Sequence, residues 1–237
     1  MILAAGRGER MRPLTDRIPK PLLMAGGKPL IVWHIENMVR AGIRELVINH
    51  AHLGHQIEKA LGDGRRFGAE IRYSAEESAL ETAGGIANAL PLLGDSPFAV
   101  VNGDIYCDYD FSRLQEAAGN LSARNDAAHL VLVDNPVHHP KGDFCLQADR
   151  IIPSSSQLQA TGCLQLTFSG IGLYSPALFF GIQRGNKAPL APLLREQIAL
   201  GKVSGAHHRG TWVDVGTPER LAALDASLTT SQQVDHD

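Results

Sequence analysis

A short apolar run, Ile2-Leu3-Ala4-Ala5, leads straight into Gly6-Arg7-Gly8, and the cations Arg10, Arg12 and Lys20 follow within a few residues. A strand that breaks into two glycines around a basic residue makes a loop suited to phosphate. The loop amides of Gly6 and Gly8 can close on phosphate oxygens without Cβ interference, and ligands of open α/β sheets sit where strands end. Residues 1–22 hold five basic side chains (Arg7, Arg10, Arg12, Arg17, Lys20) against Glu9 and Asp16, locally +3 in a chain of net charge −3. The basicity sits where a triphosphate would.

Two commoner glycine loops are excluded by counting. A dinucleotide fingerprint needs a third glycine at position 11, which is Met11, and an acidic residue about 20 residues further on, which is missing. A P-loop needs Gly-Lys followed by Ser or Thr, but Gly8 is followed by Glu9.

Downstream, apolar runs alternate with segments of helical period, which predicts a mainly parallel, Rossmann-like sheet with helices on both faces. Helices are expected from Pro29 to about Gly42, from His52 to Leu61 and from Ala83 to Leu92, with strands at 45–49, 70–74 and 98–102. The first strand has only about five residues, so either it is short or the natural start lies a little upstream. The second half reads as strands at 128–133, 144–152, 165–174 and 203–213, with turn-rich joins that include Ser154-Ser155-Ser156 and helices at 190–200 and 218–228. Residues 1–228 are expected to form one domain, with a first part to about residue 110 and a small ligand-binding sub-region over 111–228. Residues 229–237 read as a disordered polar tail.

At 237 residues, 44% hydrophobic and 20% charged, the chain can build a full core. Its pI near 6.4 and lack of a basic stripe argue against nucleic acid or an anionic membrane as partner, and no apolar stretch is long enough to span a bilayer. A cytoplasmic protein is expected. Cys107, Cys145 and Cys163 form no C-x-x-C and leave an odd count, so they are read as small buried residues rather than a zinc site or disulfides. His50, His52 and His55 read as polar groups of a loop rather than metal ligands.

Two carboxylates stand out. Asp104 follows Val100-Val101-Asn102-Gly103 at the end of a buried strand, where a lone carboxylate is unfavourable unless paired or metal-bound. Asp214 lies between two valines in Gly210-Thr211-Trp212-Val213-Asp214-Val215-Gly216-Thr217-Pro218, with Thr217 and Pro218 as the N-cap and first residue of a helix. Mg²⁺ needs only one or two carboxylates beside phosphate and water.

The run from Leu3 to Leu22, with Leu3-Ala4-Ala5-Gly6, Arg10-Met11, Pro13-Leu14-Thr15 and Pro19-Lys20-Pro21-Leu22, resembles the opening motif of the sugar-1-phosphate nucleotidylyltransferases. The Gly103-Asp104 step, the Trp212-to-Pro218 run and Leu80-Glu81-Thr82-Ala83-Gly84 are similar to further elements of that family. The resemblance implies the nucleotide-diphospho-sugar transferase fold and an enzyme that joins a nucleoside triphosphate to a sugar-1-phosphate, releasing pyrophosphate. It assigns Arg10 and Lys20 as catalytic and Asp104 with Asp214 as ligands of a Mg²⁺ cofactor. Leu3, Ala4, Ala5, Gly6, Arg7, Gly8, Glu77, Thr82, Gly84 and Asn102 would contact the nucleotide, with Glu76 or Glu77 meeting a base edge. Gly142, Asp143, Ser169 and Gly170 would line the sugar. Similarity over nearly the whole chain is greatest to members that use UTP and N-acetylmuramate-1-phosphate in cell-wall recycling. It includes Asn49-to-Glu58, Leu61-to-Gly68, Gly142-Asp143-Phe144 and His207-to-Leu221. The Glu-Glu-Lys-Pro segment of thymidylyltransferases is missing, which counts against glucose-1-phosphate. The alternatives are a mannose- or glucose-1-phosphate enzyme using GTP or dTTP, and an inactive regulatory relative.

Overall fold

The computed structural model describes residues 1–153 and 162–234; the expected turn at 154–156 and the end of the expected tail, 235–237, lie outside the described residues. In chain order the elements begin with β1 (Ile2–Leu3), β2 (Met24–Ala25), β3 (Lys28–Pro29), α1 (Leu30–Arg40), β4 (Glu45–His50), α2 (Gly54–Leu61) and β5 (Glu70–Ala75). Then come α3 (Glu81–Leu93), β6 (Phe98–Asn102), β7 (Ile105–Cys107), α4 (Arg113–Arg124), β8 (Ala128–Val133), β9 (Phe144–Gln147) and β10 (Arg150–Ile152). The last are β11 (Leu164–Tyr174), α5 (Leu190–Ala199), β12 (Val203–His208), β13 (Trp212–Asp214) and α6 (Pro218–Val234).

The chain divides into two compact units, one of Met1–Leu80, Asn102–Asp110 and Thr211–Asp237, the other of Glu81–Val101 and Phe111–Gly210. In the first unit β1, β4 and β5 run parallel in the order β5-β4-β1, as the alternating pattern predicts. Leu46, Val47 and Ile48 of β4 are buried in succession, the mark of a strand covered on both faces. A second core gathers Met11, Leu23, Ala25, Leu30, Val215, Leu221 and Leu224, so residues far apart in sequence share one apolar cluster.

The second unit is mixed. β12 pairs parallel with β8, while β11 runs antiparallel to β6, β8 and β9. Phe98, Tyr174 and Phe179 pack as tilted and edge-on rings in its core.

Several expectations are corrected. The run 144–152 is a hairpin rather than one strand, turned at Ala148 in the left-handed region at φ 53°. The run 203–213 is broken between β12 and β13 by Arg209-Gly210-Thr211. Helix α4 and strand β7 were not anticipated; α4 buries only Leu114 and Leu121, too sparse a stripe to stand out. Helix α6 continues past Leu228, and the hydroxyls of Thr229 and Thr230 donate back to the carbonyls of Asp225 and Ala226. Cys145 and Cys163 form a disulfide with Cα atoms 5.7 Å apart, because β9 pairs with β11 and sets Cys145 opposite Gln165; Cys107 is buried and unbonded to sulfur. An odd count had concealed one pair. No described helix is long and apolar enough to cross a membrane.

Candidate active site

The glycine loop leaves β1 at Leu3, which faces Asn49 of β4. Ala4 and Ala5 are buried, whereas Gly6 and Arg7 are exposed. Nothing stands within 4 Å of where a Cβ would lie on Gly6, so the crest of the loop is open. Gly8 is different: its φ is +63°, and a Cβ there would lie 3.0 Å from the Thr15 methyl and 3.2 Å from Lys20 Cβ. The Thr15 hydroxyl donates to the Gly8 carbonyl at 2.8 Å and closes the turn. Met11 is sunk in the core, which anchors the backbone beside the exposed Arg10. Arg12 is paired with Asp16 at 3.1 Å on the surface, so the loop's local charge is partly neutralised there.

Lys20 is buried, and its Nζ donates to Asp104 Oδ2 at 2.6 Å. Asp104 sits between β6 and β7. The preceding Gly103 donates its N–H to the Leu3 carbonyl at 2.8 Å, and a Cβ at 103 would stand 2.7 Å from that oxygen. Only glycine lets the two loops approach so closely.

The second carboxylate arrives on a ribbon. β7 pairs antiparallel with β13, with Asp214 opposite Ile105, and the Val215 N–H donates to the Asp104 carbonyl at 3.0 Å. Asp104 and Asp214 therefore rise from neighbouring backbone, half-buried, each beside a cation. Arg220 Nη1 donates to Asp214 Oδ2 at 2.7 Å and to the Asp214 carbonyl at 3.1 Å. Thr217 caps α6 as expected, its hydroxyl accepting from the Arg220 N–H at 3.4 Å. Arg220 Nη2 lies 2.7 Å, and Arg10 Nη2 3.3 Å, from where a Cβ on Gly216 would stand. Two guanidiniums thus reach over one glycine.

Beneath Asp104, His34 of α1 is wholly buried and donates Nε2–H to the Ile105 carbonyl at 2.8 Å. Because the carbonyl only accepts, Nδ1 carries the lone pair, and it has no hydrogen-bond partner among the described residues. Burial pushes this imidazole down to about 4, against weaker upward pulls from the Ile105 carbonyl and Asp104.

The two acids offer oxygen ligands from the turn before β7 and from the end of β13, a set that suits Mg²⁺, which keeps several waters and takes one or two carboxylates. No described group of three or more His, Cys, Asp or Glu could hold a metal. His50 is not a loop group as expected: it is the buried last residue of β4, paired with Glu58 at 2.7 Å, and His55 lies in α2, because β4 runs one residue beyond Asn49 and α2 starts at Gly54.

The residues expected at the base are spread. Glu77 is exposed, but Glu76 is buried, with both carboxylate oxygens used internally on Asn49 and the Leu80 N–H. Glu76 therefore does not present itself to a base. In the second unit Thr82 is half-buried, and the Ala83 and Gly84 N–H groups donate to the Ala188 carbonyl at 3.0 Å, so the Gly84 amide serves the scaffold. Asn102 is half-buried at the end of β6.

The residues expected at the sugar also lie in the second unit. Asp143 is engaged on both oxygens, accepting from His139 Nε2 and the Phe168 N–H, each at 2.9 Å. Gly142, at φ +61°, has no room for a Cβ against Asn135 Oδ1 and the Leu166 carbonyl. Ser169, expected at the sugar, is instead wholly buried in a β11 bulge, donating to the Val131 carbonyl and accepting from the Ile171 N–H. Gly170 turns that bulge at φ +83°. Sequence reasoning missed Arg220, Asn49 and His34. Arg220 alone left a trace, as a basic residue in the first turn of a helix, where the dipole disfavours it.

A protein-family model described as nucleotidyl transferase matches residues 1–142. Over 227 residues the chain is 55% identical to an N-acetylmuramate alpha-1-phosphate uridylyltransferase of Neisseria meningitidis serogroup B, covering 95% of this chain and 96% of that one. It is 32% identical to the protein of the same name from Caulobacter vibrioides, covering 96% of each. A solved apo-UDP-glucose pyrophosphorylase superposes with a TM-score of 0.73 at 18% identity, covering 98% of both chains, which shows a shared fold. An open glycine loop, a buried lysine on a carboxylate and a second carboxylate on the adjoining strand thus occur in a chain that belongs to the sugar-1-phosphate nucleotidylyltransferase family and is a nucleotidyltransferase.

Proposed function

We propose that the protein transfers a uridylyl group from UTP to N-acetylmuramate-1-phosphate, giving UDP-N-acetylmuramate and pyrophosphate, in the cytoplasm and as part of cell-wall recycling. The observation that carries the acceptor is the 55% identity, over nearly the whole of both chains, to a uridylyltransferase of that name. The constellation Arg10, Lys20, Asp104 and Asp214 supports activity rather than the inactive regulatory reading.

The sugar phosphate oxygen attacks the α-phosphorus of UTP in line; the new O–P bond forms as the bond to the β-phosphate oxygen breaks, and pyrophosphate leaves. No side chain is consumed, so catalysis is positioning and charge neutralisation. The amides of Gly6 and Gly8 hold oxygens of the triphosphate chain. Arg10 neutralises charge building on the leaving pyrophosphate. Lys20, desolvated and tied to Asp104, faces the α-phosphate and the incoming phosphate. A bound Mg²⁺, held by Asp104 and Asp214, would supply positive charge at the α-phosphate.

The test crosses four nucleoside triphosphates with N-acetylmuramate-1-phosphate, N-acetylglucosamine-1-phosphate, glucose-1-phosphate and mannose-1-phosphate and reads pyrophosphate release. UTP with N-acetylmuramate-1-phosphate is expected to dominate. Preference for GTP or dTTP with a neutral hexose phosphate would replace the substrate and leave the family intact.

A further inference from the structure

Asn49 and Glu76 are both buried, polar and outside the reaction just described. Asn49 Oδ1 accepts from the Ala4 N–H at 3.0 Å, at the start of the glycine loop. Asn49 Nδ2 donates to Glu76 Oε1 at 2.6 Å, and Glu76 Oε2 accepts from the Leu80 N–H at 2.9 Å. The Glu76 N–H in turn donates to the His50 carbonyl at 2.8 Å. One continuous chain of hydrogen bonds therefore runs from the backbone of the phosphate loop to the backbone of residues 76–80.

The direction of every bond in this chain is determined. Ala4 N–H can only donate, so Asn49 must turn its oxygen to it and its NH₂ to residue 76. Leu80 N–H can only donate, so residue 76 must accept at both ends. A carboxylate does so; an amide cannot. This is why a buried charge, costly in itself, is kept between Asn49 and the Leu80 N–H.

We propose that Asn49 and Glu76 are positioning residues for the nucleoside triphosphate, locking the Ala4 end of the glycine loop to the 76–80 turn so that the loop amides stand at a fixed place when the phosphates arrive. This rests on the reading that residues 3–8 bind the triphosphate. The logic of the bonds supplies its own rescue. In Glu76→Gln the new amide NH₂ meets the Asn49 NH₂, and in Asn49→Asp two carboxylates face each other. In the double variant the carboxylate, now at position 49, accepts from the Ala4 N–H and from the NH₂ of the amide, now at position 76. The oxygen of that amide accepts from the Leu80 N–H, and every bond is restored with the charge moved one step.

The experiment measures UTP affinity by calorimetry, with melting temperature and KM for the sugar phosphate alongside, for wild type, both single variants and the double. Each single variant is expected to weaken UTP binding roughly 10-fold or more, since small misplacements of a binding loop are costly, with KM for the sugar phosphate little changed. The double variant should return to within about 3-fold of wild type. Folded single variants that bind UTP like wild type, or a folded double variant that binds no better than the singles, would overturn the proposal. If a single variant is too unstable to assay, Asn49→Ser, which removes the separate oxygen and NH₂ of the amide, is measured in its place, and a folded Asn49→Ser that binds UTP like wild type overturns the proposal. Wild-type protein that binds no UTP would instead remove the triphosphate reading, and the relay's role with it.

Discussion

At the scale of single residues, the cations and the glycine they share decide most. Lys20 holds Asp104 at 2.6 Å and in the proposed mechanism also meets the phosphates, so Lys20→Ala removes a charge and leaves the carboxylate without that partner. Turnover is expected to fall about 10²–10³-fold, the scale for losing one preorganised contact in a closed site, and Arg10→Ala should fall similarly; steady-state pyrophosphate release checks both. Gly216 offers a subtler test. The nearest atoms a methyl there would meet are the guanidiniums of Arg220 and Arg10, flexible ends that can swing aside. Gly216→Ala should therefore leave the melting temperature nearly unchanged while lowering kcat roughly 10-fold, as two guanidiniums lose their place. A fall in stability without a fall in kcat would show that these arginines serve the fold alone.

At the scale of elements, α1 supports strand β7 through one histidine. His34 holds β7 by its Nε2–H, and burial keeps it neutral, with a pKa down at about 4 rather than 6.5. The unfolded chain takes up this proton first, so stability is full above about pH 6.5, declines as pH falls, and levels off below about pH 4. The shift corresponds to about 3 kcal/mol across that window. Urea midpoints of wild type and His34→Gln between pH 7 and pH 4.5 should show wild type losing its advantage as pH falls, with a flatter curve for the variant. Equal slopes would remove His34 as the source. The same element contact shows what sequence could and could not disclose. Nothing in the sequence singled out the histidine among Ile31, Val32 and Ile35, and only the approach of β7 reveals that it has a carbonyl to hold.

At the scale of the whole molecule, the site is assembled from segments far apart in the chain. Asp104 and Asp214 lie 110 residues apart in sequence, yet β7 and β13 pair so that Asp214 faces Ile105. If the two carboxylates act on one Mg²⁺, losing either should cost about as much activity as losing both, because residues that act as a unit are not additive. Asp104→Asn, Asp214→Asn and the double variant, assayed over a Mg²⁺ titration, check this. Additive losses would separate the two acids.

What the sequence by itself determined was whatever is written in contiguous residues. The Gly6-to-Lys20 loop, the Gly103-Asp104 step, the cap at Thr217 and the parallel βα pattern of the first unit are local, because backbone freedom, apolar period and capping are set by near neighbours. Tertiary structure alone decided what depends on an approach between distant backbones. It spent Glu76 on Asn49 instead of a base, buried Ser169 in a bulge, and joined Cys145 to Cys163 across paired strands. A side chain's chemistry is readable from its type, but its availability is not. A donor or acceptor is taken up by whichever partner the fold brings within about 3 Å, and that partner is chosen by strand register and burial rather than by the residues beside it in the chain.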